Sequence, residues 1–127
     1  MILKILVLCS FIHADLYFAF TYFLGKRVRQ QKCSASVHRL MGWVTFFMTL
    51  IAVLLTEYTV STLGRGRHDW FFYVHLFGFA IPYLISLPML LLFNGKRSKK
   101  SHGTLACTAL VLCIGMNITG FVLWCRF

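Results

Sequence analysis

Four long apolar runs dominate the sequence and leave only short polar segments between them. Each run is about 20 residues long, which is the length that an α-helix needs to cross the hydrocarbon core of a bilayer. The runs lie roughly at 2–24, 40–63, 71–93 and 103–124. Backbone polar groups find no water inside a bilayer, so segments of this length can span it only as helices. The sequence therefore predicts an all-α fold in which residues 1–127 form a single integral membrane domain.

The connections between the runs predict the topology. They are short, so neighbouring helices should be antiparallel, in an up-down-up-down four-helix transmembrane bundle. Nine of the thirteen cations lie in or beside the first and third connections: Lys26, Arg27, Arg29, Lys32, Arg39, Lys96, Arg97, Lys99 and Lys100. The second connection has only Arg65 and Arg67, beside Asp69. Because cytoplasmic loops are rich in Lys and Arg, we expect loops 1 and 3 inside and both termini outside. The expected location is a bacterial inner membrane or an equivalent energy-transducing membrane.

The composition excludes several classes of function. The chain is 59% hydrophobic and only 13% charged, whereas soluble domains are about 45–50% apolar and about 25% charged. Its net charge of +10 is confined to short clusters, while a nucleic-acid-binding module needs a solvated basic surface. The sequence has no Gly-rich phosphate loop and no nucleophile motif. We therefore predict a protein that is not an enzyme and binds no nucleic acid.

His38 and His102 are the leading candidate site residues. They begin the second and fourth predicted helices, which are parallel in an up-down-up-down bundle, so the two side chains should lie at the same depth. At helical spacing, His38 is followed by Gly42, Thr45, Thr49, Ala52 and Thr56, and His102 by Ala106, Ala109, Cys113, Met116 and Gly120. We call these two sets the His38 face and the His102 face. Small residues mark helix contacts in membranes, so both histidines should point inward, where they could ligate a b-type haem. The alternative is that both are solvated at the membrane interface among the neighbouring Lys and Arg.

The other histidines and one acid are weaker candidates. His13 should lie about 18 Å and His75 about 27 Å from the inner face, and a difference of about 9 Å argues against a second bis-His haem. His75 begins a face that continues through Phe79, Pro82, Ser86 and Met89, so it too could point inward. His68 is in a polar loop and should be solvated. Asp15 is an intramembrane acid, expected either in proton transfer or quinone contact or as a buried hydrogen-bonding strut.

Other residues within the spans have structural interpretations. Pro82 and Pro88 should each interrupt the third helix, because proline lacks the N–H group. Asn117 and Thr119 should hold neighbouring helices together. Cysteines inside the spans are expected to be small packing residues. These are Cys9, Cys107 and Cys113.

Three local patterns resemble a known family. They are His38-Arg39-Leu40-Met41 opening a span, Tyr73-Val74-His75 early in the next, and a basic loop ending in His102 before a helix with Ile118-Thr119-Gly120. In this order, over about two-thirds of the chain, they resemble the CtaM/YozB-like small four-helix membrane proteins linked to cytochrome c oxidase assembly. The resemblance implies that His38, His75 and His102 are the characteristic histidines and leaves their ligand open. His13 and Asp15 are outside the pattern.

These observations predict a small membrane protein that acts with a larger respiratory or electron-transfer complex, as an assembly factor or a subunit. A b-type haem between His38 and His102 would be its cofactor. One alternative is a cofactor-free accessory subunit packed against a larger membrane complex or its lipids. Another is a pigment-binding subunit of a photosynthetic complex, in which single histidines such as His13 and His75 would ligate chlorophyll magnesium.

Overall fold

A computed structural model describes residues 2–63, 70–92 and 99–126. In this part of the chain there are four long helices and no β-strand. Helix α1 is Ile2–Arg29, α2 is Ala35–Leu63, α3 is Trp70–Leu92 and α4 is Lys99–Arg126. All four are long and apolar enough to cross a membrane, which indicates an integral membrane protein. The predicted all-α class with four transmembrane helices is confirmed, and the membrane sides of the termini and loops stay a prediction.

Three helix ends extend beyond the predicted apolar runs. Helix α1 continues to Arg29 instead of ending at 24, α2 begins at Ala35 instead of 40, and α4 begins at Lys99 instead of 103. Backbone outside the hydrocarbon can remain helical, and the cations in the last turn of α1 interact favourably with the negative end of its dipole. As a result, His38 and His102 are each the fourth residue of their helix.

A capping motif ends α1. The Lys32 N–H donates to the Arg27 carbonyl at 2.9 Å, and the Gln31 N–H donates to the Val28 carbonyl at 3.0 Å. These two bonds form a Schellman motif, in which the first residue past the helix cap has a left-handed conformation. Gln31 is that residue, with a φ of 59°. Glycine is the usual residue there because it has no Cβ, so this turn could not be predicted from a glutamine at position 31.

Ser34 begins α2 immediately after this turn. The Ser36 N–H donates to Ser34 Oγ at 3.2 Å, and the His38 N–H donates to the Ser34 carbonyl at 3.3 Å. Ser34 is therefore the N-cap of α2, since its side chain satisfies one of the N–H groups that a helix start leaves open. The two caps turn the chain between α1 and α2 with only residues 30–34.

The chain divides into two compact units, Met1–Gly64 and Arg65–Phe127. Each contains one helical hairpin, α1 with α2 or α3 with α4. Within the first, Thr21 contacts Thr45 and Gly25 lies against His38, so the helices run antiparallel. Within the second, His75 contacts Thr119 and Phe79 lies on Gly115, so these helices are also antiparallel.

Burial supports the two faces inferred from the sequence. On α2, Gly42, Thr45, Thr49 and Ala52 of the His38 face are buried. On α4, Ala109, Cys113 and Met116 of the His102 face are buried. Large apolar side chains are exposed on every helix, as expected for surfaces that meet lipid. They include Leu16, Phe20, Ile51, Leu54, Phe77, Ile85, Ile118 and Phe121.

Helix α3 is widened in its first half. Residues Val74–Ala80 form a π-helix, and the Ile81 N–H donates to the Leu76 carbonyl, five residues back. Pro82 follows this segment. Proline has no N–H and its ring would collide with the carbonyl four residues earlier, and the wider turn is the local response. The α-helix then continues through Pro88. Both prolines were predicted to interrupt α3. At Pro82 the helix is not broken but changes from a π-helix to an α-helix, and at Pro88 the α-helix continues without interruption.

Candidate functional site

The His38 imidazole packs on α1 at a glycine. A Cβ added to Gly25 would lie only 3.1 Å from His38 Cε1 and 3.5 Å from Nε2, so a larger residue there would displace the ring. His38 is half-buried, and its Nδ1 is buried. Gly25 was not among the residues predicted for the site. The signal was available, because Ala14, Thr21 and Gly25 place small residues on one side of α1.

Two threonines join α1 and α2 farther into the hairpin. Thr45 Oγ1 donates to the Met41 carbonyl at 2.8 Å, which uses its only proton. In the 2.9 Å contact between Thr21 and Thr45, the donor must therefore be Thr21. This bond fixes the register of the hairpin two turns beyond His38.

His102 lies in the second unit. It is half-buried and begins the His102 face near the start of α4. His38 and His102 thus have the same position in their helices, and each precedes a buried face of small residues. Their pairing as ligands of one haem stays a prediction.

His75 bonds to a threonine of α4. Its Nδ1 is 2.8 Å from Thr119 Oγ1, and Gly120 lies beneath the ring, where an added Cβ would be 3.3 Å from His75 Cε1. One turn later, Phe79 lies on Gly115 so closely that a Cβ there would overlap the ring. The predictions that His75 points inward and that Thr119 joins two helices are confirmed for this hairpin.

His13 and Asp15 differ in exposure. His13 is exposed on α1, and its Nδ1–H donates to the Cys9 carbonyl at 2.7 Å, on its own helix. Asp15 is half-buried. Ligation by His13 and the proposed roles of Asp15 stay predictions. His68 lies outside the described residues.

The cysteines divide into two groups. Cys113 is buried and packs inside the second unit, where Asn117 Nδ2 donates to its carbonyl at 2.9 Å. Cys9 and Cys107 are exposed, so their prediction as packing residues is wrong: each lies on the outer side of its helix. All five cysteines are free thiols.

Within residues 2–63, 70–92 and 99–126, no group of three or more His, Cys, Asp or Glu side chains could hold a metal ion. A bis-His haem needs only two protein ligands, so this finding does not bear on it. No family model, no curated protein and no solved structure matches the chain. The resemblance to the CtaM/YozB-like family therefore stays a prediction.

Proposed function

We propose that this protein acts with a larger electron-transfer complex of an energy-transducing membrane, as an assembly factor or a subunit, and holds one b-type haem between His38 and His102. One observation carries the proposal. Each histidine is the fourth residue of its helix and begins a buried face of small residues. Ionisable side chains in membrane spans are candidates for functional sites, and faces of small residues allow the close approach that a shared ligand site needs.

The surroundings of His38 fit a haem. Gly25 lets the His38 ring lie against α1, and the buried Gly42 continues the His38 face one turn farther along α2 with no side chain of its own. Lys26 and Arg39, which follow Gly25 and His38 in sequence, are exposed, and their charges match the carboxylates of haem propionates. Bound haem would supply reversible one-electron transfer. With His38 and His102 holding the haem, the protein would serve as an electron carrier.

The test is an absorbance spectrum of the purified protein, oxidised and dithionite-reduced. In the His75→Ala background, which removes the other histidine that could hold a haem, we expect a b-type difference spectrum that is lost when His38→Ala or His102→Ala is added. His13→Ala is the matched control, because His13 is exposed and bonded to its own helix, and it should keep the spectrum. A spectrum that survives His38→Ala or His102→Ala in that background would refute ligation by this pair, as would a colourless wild-type protein.

A cofactor-free accessory subunit is the second candidate, and a specific observation favours it. The His38 ring packs on Gly25 and His75 is bonded to Thr119, so imidazoles already act as packing and hydrogen-bonding groups. This candidate predicts a colourless protein and His→Ala variants that still copurify with the partner complex. Oxidase subunits recovered with a colourless protein would support it over the haem protein.

A further inference from the structure

The hydrogen bonds at Thr119 fix which nitrogen of His75 carries the proton. A threonine hydroxyl has one hydrogen. Thr119 Oγ1 donates it to the carbonyl of Gly115 at 2.7 Å, with Met116 as a longer acceptor at 3.3 Å. The oxygen can then only accept from His75, so the proton of the neutral ring is on Nδ1. The lone pair is therefore on Nε2.

This Nε2 is prepared for a ligand. Among the residues that the structure describes, the hydrogen bond of the His75 ring is made through Nδ1 and none is made through Nε2. The ring is held by its bond to Thr119 and by the close approach of Gly120. Metal-ligating histidines almost always donate their other N–H to an oxygen in this way, which fixes the tautomer and the ring orientation. His75 also lies in the π-helical segment, and such segments are frequent at functional sites.

We propose that His75 Nε2 is the axial ligand of a metal tetrapyrrole, with Thr119 as the positioning residue. A tetrapyrrole brings four nitrogen ligands of its own and needs a single protein ligand. A free metal ion would need several, and the described part of the chain has no cluster of three suitable side chains. Neutral imidazole is the protein ligand that such metals take.

The site is separate from the haem proposed above. Thr119 is 17 residues beyond His102 on α4, or about 26 Å at the rise of an α-helix. The His75 site therefore lies near the other end of α4. It needs neither His38 nor His102, so either site can fail without the other.

The first test measures the tautomer. Nitrogen NMR of the full-length protein in lipid nanodiscs, with 15N-labelled histidine, should show His75 protonated at Nδ1. Thr119→Val keeps the shape of the side chain and removes the acceptor, so the Nε2-protonated form should appear. Thr119→Ser should behave as the wild type. A wild-type ring protonated at Nε2 would overturn the proposal without the need for any variant.

The second test measures binding in the His38→Ala/His102→Ala protein, which lacks the other proposed site. Titration with ferric haem and with zinc and magnesium protoporphyrin distinguishes the metals. We expect one equivalent to bind, and the ferrous form to bind carbon monoxide because one axial position is open. His75→Ala should abolish binding, and Thr119→Val should weaken it about 10–100-fold, whereas Thr119→Ser should not.

The controls separate ligation from adsorption to an apolar protein. His13→Ala in the same background removes another histidine whose Nδ1 is hydrogen-bonded, and it should leave binding unchanged. Equal binding by the His75→Ala protein would overturn the proposal. Equal weakening by Thr119→Val and Thr119→Ser would also do so, because Thr119 would then act through packing and not through its oxygen.

Discussion

Replacing Gly115 with alanine tests the packing between α3 and α4. The added Cβ would overlap the ring of Phe79. It would also lie 3.1 Å from Phe79 Cγ, which is the ring atom attached to the rest of the side chain. Rotation of the ring about its own axis leaves Cγ in place, so the side chain must change its first torsion angle or the helices must separate.

The expected magnitude combines two effects. Alanine is favoured over glycine inside a helix by about 1 kcal/mol, whereas overfilling a packed site costs about 1–3 kcal/mol. Gly78→Ala is the matched control, because a Cβ there meets only Val74 Cγ1 at an ordinary 3.9 Å. The Gly115 variant should therefore be less stable than the Gly78 variant by about 1–3 kcal/mol.

The assay is unfolding in mixed micelles of increasing dodecyl sulfate content, followed by far-ultraviolet circular dichroism. Phe79→Ala removes the obstructing ring, so Gly115→Ala should be tolerated in that background. The double-mutant cycle should give a coupling energy of about 1–3 kcal/mol. If Gly115→Ala is as stable as Gly78→Ala, or if the cycle shows no coupling, the close packing of Phe79 on Gly115 is refuted.

Two further predictions test the local backbone. Gln31→Gly should stabilise the first hairpin by about 1 kcal/mol in the same unfolding assay, because Gln31 has a left-handed conformation that disfavours a Cβ. Gln30→Gly is the control and should not stabilise; equal effects at both positions would contradict this explanation. Pro82→Ala supplies the missing N–H and should allow the π-helix to become an α-helix. Loss of the extra residue per turn would rotate His75 by about 100° relative to Ser86 and break its bond to Thr119. A double-mutant cycle measures the coupling energy between His75 and Thr119. This energy should be lost in the Pro82→Ala protein and kept in the Pro88→Ala protein, which is the control. An undiminished coupling energy in the Pro82→Ala protein would contradict the role assigned to Pro82.

The fold class and the buried faces were predictable because they depend on periodic properties of the sequence. Helical spacing from His38 passes through Thr45, Thr49 and Ala52, which are all buried. The same spacing from His102 reaches Ala109 and Cys113, with the same result. Close approach of membrane helices requires small residues, so a continuous row of them carries information about contact that single residues do not.

The details of the site were not predictable, because each depends on an atom pair far apart in sequence or on a rare backbone conformation. The bond from His75 to Thr119 joins residues 44 positions apart. Gln31 has a left-handed conformation although nothing in its type favours one. The sequence indicated that Pro82 disturbs α3, but it did not indicate that the disturbance takes the form of a π-helix that contains His75.

Threonine sets the direction of the hydrogen bonds between helices in both hairpins. Thr45 and Thr119 each donate to a carbonyl four residues earlier, as Thr56 and Thr59 also do. An unsatisfied hydroxyl proton is costly in hydrocarbon, and in these four residues a carbonyl of the same helix accepts it. The oxygen of the hydroxyl can then only accept. Where a neighbouring helix bonds to this oxygen it must therefore supply the donor, which is the hydroxyl of Thr21 in one hairpin and the imidazole of His75 in the other. A hydroxyl donor has its single proton engaged by this contact. An imidazole still has a second nitrogen with a lone pair, and this difference is why the contact at Thr119 can serve a ligand site whereas the contact at Thr45 can only hold two helices together.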